Sequence, residues 1–364
     1  MDKIKTIEDR KKGFSTLNNK YNTCYLNCVI QSLSNNYMLR NYLKMVSNSD
    51  QELDCIDRSN SYETPDFESN KILDNFTKLI TCMWRKTLKI TPTSFYTTFL
   101  EKFPQYIKGY QHDARDFLFD LIGELHMSLE QKTVAMQSSE YSSKHYLGAM
   151  LEWRNYFENK KSWISDNFFG QYLKKFTCKN CGHIFYKYDV FLSIIVECKN
   201  KSIKDLVGNS MAIDFLNMEC QECKEVFDDS VDLDDIPDFV KNREHSIETS
   251  TYKLPETLIV LVSCFTSNSQ KILESVQIEE TLDLYQSHIT NSDESTVYTL
   301  SSIVYHQGSS LSKGHYFTVV KRKTAYYLFN DSDVEEINLS VLEENKNCTP
   351  YIFFYEKNGI PERI

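Results

Sequence analysis

Apolar side chains recur at Ala114, Phe117, Leu118, Leu121, Ile122 and Leu125, the i, i+3, i+4 spacing of one helix face, which predicts an amphipathic helix. Tyr25, Val29 and Leu33 keep an i, i+4, i+8 spacing behind Asn22 and Thr23, both good N-cap types. That pattern predicts a second helix with Cys24 in its first turn. After about residue 250 the period changes to β-rich runs between polar turns: TLIVLVSCF (257–265), VYTLSSIVY (297–305), HYFTVV (315–320), AYYLFN (325–330) and YIFFYE (351–356). Three polar stretches interrupt the periodic segments. Residues 47–70 and 137–144 read as solvated loops, and the acid-rich 227–238 as a hairpin or loop tip. Helices first, then a cysteine-paired insert, then a sheet, is the order of an α+β fold.

The chain has 364 residues, enough for one large domain or two of the usual ~100–200 residues. With 41% hydrophobic and 25% charged residues it has the material for a packed core, which excludes global disorder. The net charge of −10 disfavours a nucleic-acid partner and suits a basic protein partner. No run approaches the ~20 apolar residues of a membrane helix, and the start, MDKIKTIEDRKK, has no apolar signal core. A protein of the cytoplasm, the nucleus or both is expected, with no membrane partner.

Eleven cysteines without a signal peptide, odd in number, point to metal and catalysis rather than disulfides. Cys178-x-x-Cys181 and Cys220-x-x-Cys223 flank 38 residues (182–219), and two such pairs can close a tetrahedral zinc site, each forming a tight knuckle. Gly182 suits the first knuckle turn. A redox CxxC would not need two pairs.

Cys24 is a candidate nucleophile, because the positive end of a helix favours the thiolate form of a thiol. Cys28, one turn later, reads as packing. A nucleophilic thiol needs a base. His315 follows Gly314 and opens a strand, which would hold its imidazole at a strand mouth. Fifteen residues on, either Asn330 or Asp331 could fix the imidazole tautomer, the Cys-His-Asn logic of papain-like proteases.

These segments together resemble the ubiquitin-specific protease family of deubiquitinating cysteine proteases, over residues 13 to about 356. In the first box Leu17, Asn19, Asn22, Thr23, Cys24, Tyr25, Asn27, Gln31 and Leu33 match. QHDARDFLFDLIGELH (111–126) resembles the second, VYHQG (304–308) with GHYFTVV (314–320) the third, and FNDSDV (329–334) with YIFFYE the closing strands. The chain departs from the pattern in four places: Thr16 and Tyr21 replace glycines, LVSCF (261–265) replaces a common LKRF, and Tyr326 or Tyr327 stands near a usual Trp.

The resemblance implies a papain-like hand. Its parts are a helical thumb (about 13–165) after a tail at 1–12, zinc-ribbon β fingers (about 166–255) and a β palm (about 256–364). It implies Cys24 as nucleophile, Asn19 as oxyanion donor, His315 as base, and Asn330 as the orienting residue with Asp331 in support. It implies substrate contacts from Gln111, Asp113, Asp116 and His306, and one structural zinc on Cys178, Cys181, Cys220 and Cys223. The implied activity is cleavage after ubiquitin's C-terminal glycine. The implied partners are ubiquitin and ubiquitinated proteins, with an activating protein subunit left open. Because so few residues flank the boxes, no terminal accessory domain is expected. The competing reading is an inactive or weakly active ubiquitin-binding scaffold, for which Thr16 and Tyr21 are the argument.

Overall fold

The computed structural model describes residues 12–46, 57–58, 61–63, 72–85, 87–132, 144–224, 243–266, 270–272, 274–287, 295–310, 313–343, 345 and 347–358. The expected tail over 1–11, the polar stretches 137–143 and 227–238, and Cys55 lie outside the described residues.

The first half is mostly helical. In chain order it runs β1 (Thr16–Leu17), α1 (Cys24–Asn35), α2 (Tyr37–Val46), β2 (Asp57–Arg58), β3 (Ser61–Glu63), α3 (Ile72–Arg85), β4 (Lys89–Thr91) and α4 (Thr93–Lys102). Then follow α5 (Ala114–Leu129), β5 (Gln131–Lys132), α6 (Lys144–Tyr156), β6 (Lys160–Lys161) and α7 (Trp163–Phe168). The 47–70 stretch, expected as a loop, supplies β2 and β3, and β3 pairs in parallel with β4. Backbone pairing there does not need the apolar side chains the stretch lacks.

The second half is mostly strand. It begins with β7 (Gly170–Cys178), β8 (Ile184–Phe191), β9 (Ser193–Glu197), β10 (Lys201–Ser202), α8 (Ile203–Ser210), β11 (Asp214–Met218), α9 (Gln221–Lys224) and β12 (Arg243–Lys253). It closes with β13 (Thr257–Ser263), β14 (Val276–Gln277), β15 (Thr281–Asp283), β16 (Val297–Ser310), β17 (Lys313–Arg322), β18 (Ala325–Asn330), β19 (Asp333–Ile337) and β20 (Cys348–Lys357).

Two sheets organise this half. A four-stranded antiparallel sheet, order β11-β12-β7-β8, ends at the CxxC pairs. The larger sheet runs β19-β18-β17-β16-β20-β13-β9, with β15 added on β16. The stretch 166–255 does not stay in the cysteine-bearing sheet, since β9 crosses over to pair in parallel with β13. The expected α+β hand is therefore present, with its insert contributing one edge strand to the large sheet.

The core explains why the helices and sheet stay together. On α5, Phe117, Leu118, Leu121, Ile122 and Leu125 are fully buried, as their spacing predicts. α1 is buried along its whole length, polar residues included. Burial of polar groups is tolerated only when they are hydrogen-bonded. Gln31 donates to Ser15 O at 2.8 Å, the hydroxyls of Ser32 and Thr318 bond at 2.8 Å, and Asn35 donates to Ser301 O at 3.1 Å. These bonds tie α1 to β1 and to the large sheet, so the position of Cys24 relative to β17 is fixed by the core. Among the described residues no helix is long and apolar enough to cross a membrane.

Candidate active site

Cys24 is the first residue of α1, as the spacing predicts. The cap is built differently from the expectation: Thr23 makes no side-chain capping bond. Instead its backbone N–H donates to Asn19 Oδ1 at 2.7 Å. The turn before it is held by Asn22 at φ +56°, a left-handed conformation that asparagine tolerates, with its amide donating to Gly109 O at 2.7 Å. Tyr21 stacks on Tyr96 with centroids 5.8 Å apart, and Lys108 sits 4.4 Å over the Tyr21 ring. Thr16 lies in β1, paired with Lys89. Both non-glycine residues are thus absorbed into packing.

His315 lies in β17 and its Nε2–H donates to Asn330 Oδ1 at 2.6 Å. That bond leaves Nδ1 as the nitrogen for the Cys24 thiol. Contact with the thiol is the main cause that raises the His315 pKa to about 9; burial opposes it, and the Asn330 bond adds to the rise. Cys28, by contrast, is fully buried, and burial pushes its thiol up, which fits a packing role.

β18 ends at Asn330, and Asp331 turns the chain at φ +50°. Strand alternation therefore stops there, and both side chains face the same site. The Asp331 carboxylate accepts from Asn19 Nδ2 at 2.9 Å and from Asn27 Nδ2 at 2.8 Å, and lies 3.7 Å from His315 Nε2. In the sequence Asn27 is marked only by its match to the first box. Its role is set by a partner 304 residues away, so no local signal marks it.

The four expected substrate contacts separate. Gln111 clasps the backbone of Gly314: its Nε2–H donates to Gly314 O at 2.7 Å and its Oε1 accepts the Gly314 N–H at 3.2 Å. Asp113 caps α5 by accepting from Arg115 N at 2.8 Å, and both its oxygens accept from Tyr351 Oη at 2.8 Å. It is largely buried, and burial raises its pKa. Asp116 is open to solvent and pairs with Arg115 at 3.0 Å. A small cleft lies beside this helix start, walled by Asp113, Arg115, Tyr351 and the LVSCF strand.

His306 departs from the expectation. It is fully buried between Phe265 and Tyr316, and burial lowers its pKa to about 4, so it is a neutral packing group with no surface open for a substrate. The reason is its register: it faces Tyr316 across the β16–β17 hairpin, with Gly314 close above its ring.

The four cysteines of the two CxxC pairs converge, with their sulfur atoms within 4.8 Å of one another. Cys178 and Cys223 sulfurs are 3.9 Å apart and those of Cys181 and Cys220 are 3.6 Å apart. Four thiolates about 2.3 Å from one zinc at tetrahedral angles are about 3.8 Å apart, so the set fits that metal. Gly182 takes φ +72° and donates to Cys178 O at 2.9 Å, closing the expected knuckle.

The α+β hand brings the Cys24 thiol, the His315 imidazole and the Asn330 amide into contact, the architecture of papain-like cysteine hydrolases. The model of the ubiquitin carboxyl-terminal hydrolase family matches residues 15–355, and the chain belongs to that family. It is 25% identical to bovine ubiquitin carboxyl-terminal hydrolase 2 over 97% of this chain and 56% of that protein. It is 26% identical to Drosophila melanogaster Usp2 over 96% of this chain and 35% of that protein, and 24% identical to human ubiquitin carboxyl-terminal hydrolase 21 over 96% and 63%. The chain thus spans roughly a third to two thirds of these relatives. Its fold is similar to a chain of the SAGA Ubp8/Sgf11/Sus1/Sgf73 DUB module bound to ubiquitin aldehyde, with a TM-score of 0.69, 17% identity, and coverage of 98% of this chain and 72% of that one.

Proposed function

We propose that this chain is a thiol deubiquitinase that hydrolyses the isopeptide or peptide bond after ubiquitin's C-terminal glycine. The observation that supports it most is His315, bonded to Asn330 at 2.6 Å and raised by its contact with Cys24. A raised imidazole beside a thiol favours the thiolate–imidazolium pair, which is the attacking form. The Cys24 thiolate adds to the carbonyl carbon, and the pair of electrons moves to the oxygen. One Asn19 amide hydrogen is engaged by Asp331, so the second can donate to that oxyanion. His315 then gives its proton to the departing amine as the C–N bond breaks, leaving a thioester. Water attacks the thioester, His315 takes its proton, and the Cys24 thiolate leaves.

Asp116 and the cleft beside Asp113 are the proposed contacts for ubiquitin's basic tail. Zinc held by the four cysteines is a structural staple of the cysteine-bearing sheet, outside the chemistry. A neighbour solved as a module with other subunits supports an activating partner as part of the proposal.

Ubiquitin with a C-terminal electrophile tests the reading. A covalent adduct on Cys24, absent in Cys24→Ala, with diubiquitin cleavage by the unmodified chain, is expected. Ubiquitin binding without adduct or cleavage would establish the inactive scaffold instead.

A further inference from the structure

Besides accepting from His315 at 2.6 Å, Asn330 lines a cleft of about 360 Å³ between the β1–β4 pair and the β18–β19 hairpin. This cleft shares no lining residue with the one walled by Asp113, Arg115 and Tyr351. Gly314, just before His315, is clasped by Gln111 on the Asp113 side, whereas the His315 ring is bonded to Asn330. By connectivity the imidazole stands between the two clefts.

The charges of the second cleft follow from strand register. β18 and β19 pair with Asn330 opposite Asp333 and Leu328 opposite Glu335. Directly paired residues share one face of a sheet, so both carboxylates sit on the face that carries the Asn330 amide. β19 is the edge strand of the large sheet, and Asp333 and Glu335 are exposed. Lys89 lines the cleft from β4, also exposed. None of these three charged groups makes an ion pair among the described residues, so two carboxylates stand against one ammonium. Phe14, Leu88 and Leu328 add apolar wall.

We propose that this cleft receives a basic side chain, arginine above all, from the protein joined to ubiquitin, and so selects substrates whose modified lysine lies in a basic segment. The inference rests on the hydrolase reading above, in which ubiquitin's tail lies on the Asp113 side and His315 protonates the departing amine. The chain that carries that amine then leaves on the other side of the imidazole, where Asn330 opens the cleft. An arginine suits the mixed walls. Its aliphatic stem covers the apolar residues while its planar fork meets the carboxylates. A glutamate in the same place would face two like charges for one opposite one.

The test uses ubiquitin joined by an isopeptide bond to the central lysine of a short peptide, flanked by arginines in one conjugate and by glutamates in the other. Ubiquitin aminocoumarin amide, which has no flanking residues, reports hydrolysis by itself. The unmodified chain is expected to cleave the arginine conjugate with a kcat/KM about three- to tenfold above that of the glutamate conjugate, the scale of a few partly exposed charge contacts. Asp333→Asn combined with Glu335→Gln should remove that preference, and Glu335→Lys should turn it toward the glutamate conjugate. Coumarin release and Tm should stay as in the unmodified chain. Equal cleavage of the two conjugates, or a preference that survives these variants, would overturn the proposal. So would a loss of coumarin release as large as the loss on the arginine conjugate, because the carboxylates would then be positioning Asn330 rather than reading substrate. No coumarin release from the unmodified chain would instead overturn the hydrolase reading, and this proposal with it.

Discussion

Gln111 closes a two-point clasp on the backbone of Gly314, donating to its carbonyl at 2.7 Å and accepting from its N–H at 3.2 Å. Because Gly314 immediately precedes His315, this clasp joins the loop before α5 to the strand that presents the imidazole. Gln111 therefore acts as a positioning residue for His315. Gln111→Ala is expected to lower kcat by about 10–100-fold with KM little changed, since a misplaced base costs rate and leaves ubiquitin contacts alone. A rise in KM at constant kcat would return Gln111 to the substrate-contact role.

The same glycine has no room for a side chain. A Cβ on Gly314 would run into the His306 ring and approach Gln307 O to 2.8 Å, so ring or strand must shift. Gly314→Ala should lower both Tm and kcat. In the double variant Gly314→Ala/His306→Ala the smaller neighbour should restore part of the activity, because the clash rather than the histidine is at fault. An unaltered kcat in Gly314→Ala would show that the strand yields without moving His315.

The residues that were legible in the sequence are those whose signal is local. Cys24 stands at a helix start announced by a 3.6-residue period, His315 at a strand start, and the four cysteines in two knuckles. What the sequence hid depends on distant partners. Asp113 is a typical N-cap by position, but its bond to Tyr351 spans 238 residues. His306 looks like a polar position in a strand, and its burial comes from Tyr316 across the β16–β17 pairing and from the distant Phe265. Thr23 is a good cap type, yet its hydroxyl turns to Asn19 Oδ1 at 3.5 Å instead of accepting from the N–H groups of the first turn. The edge strand β9 follows the cysteine-bearing sheet in sequence but belongs to the other sheet, because parallel pairing with β13 carries no short-range mark.

The pH dependence follows from His315. Its pKa is raised to about 9 in the folded chain, above the ordinary ~6.5 of an exposed histidine. A raised folded pKa stabilises the protein fully below the unfolded value and ceases to do so as pH rises through about 9. In the proposed mechanism turnover needs the imidazolium as proton donor, so kcat is expected to fall over the same alkaline range. In Cys24→Ala the main cause of the shift is gone, and the His315 ring resonances, followed by NMR, should titrate lower than in the unmodified chain. Identical titration in the two proteins would mean that the thiol does not hold the proton.

Metal removal should separate fold from chemistry. One equivalent of zinc is expected by elemental analysis, and Cys178→Ser or Cys220→Ser should lose it and loosen β7, β11 and β12, seen as faster hydrogen exchange in those strands. Small thiol reagents should still label Cys24 in such variants, because α1 is buried in a different part of the core. Full activity in protein free of any metal would remove the staple from the account.

Asn330 and Asp331 offer the sharpest test, because the turn puts both beside one imidazole. Asn330 accepts directly from His315 Nε2 at 2.6 Å, whereas the Asp331 carboxylate is 3.7 Å from that atom and already bonded to Asn19 and Asn27. In the proposed mechanism Asn330 sets the tautomer and ring angle, and Asp331 holds Asn19, the oxyanion donor. Removing the first should cost on the order of 10–10³-fold in kcat with little change in KM. Asp331 calls for a different substitution, since φ +50° strains alanine but not glycine. Asp331→Gly keeps the turn while leaving the Asn19 and Asn27 amides without their acceptor, so it reports the carboxylate alone. It should lower kcat through the oxyanion, and Asn19→Ala added to it should cost much less than Asn19→Ala in the unmodified chain, because the two act as one unit. Additive losses in that cycle would show that Asp331 acts on His315 directly, and the division of roles between the two neighbours would have to be reversed.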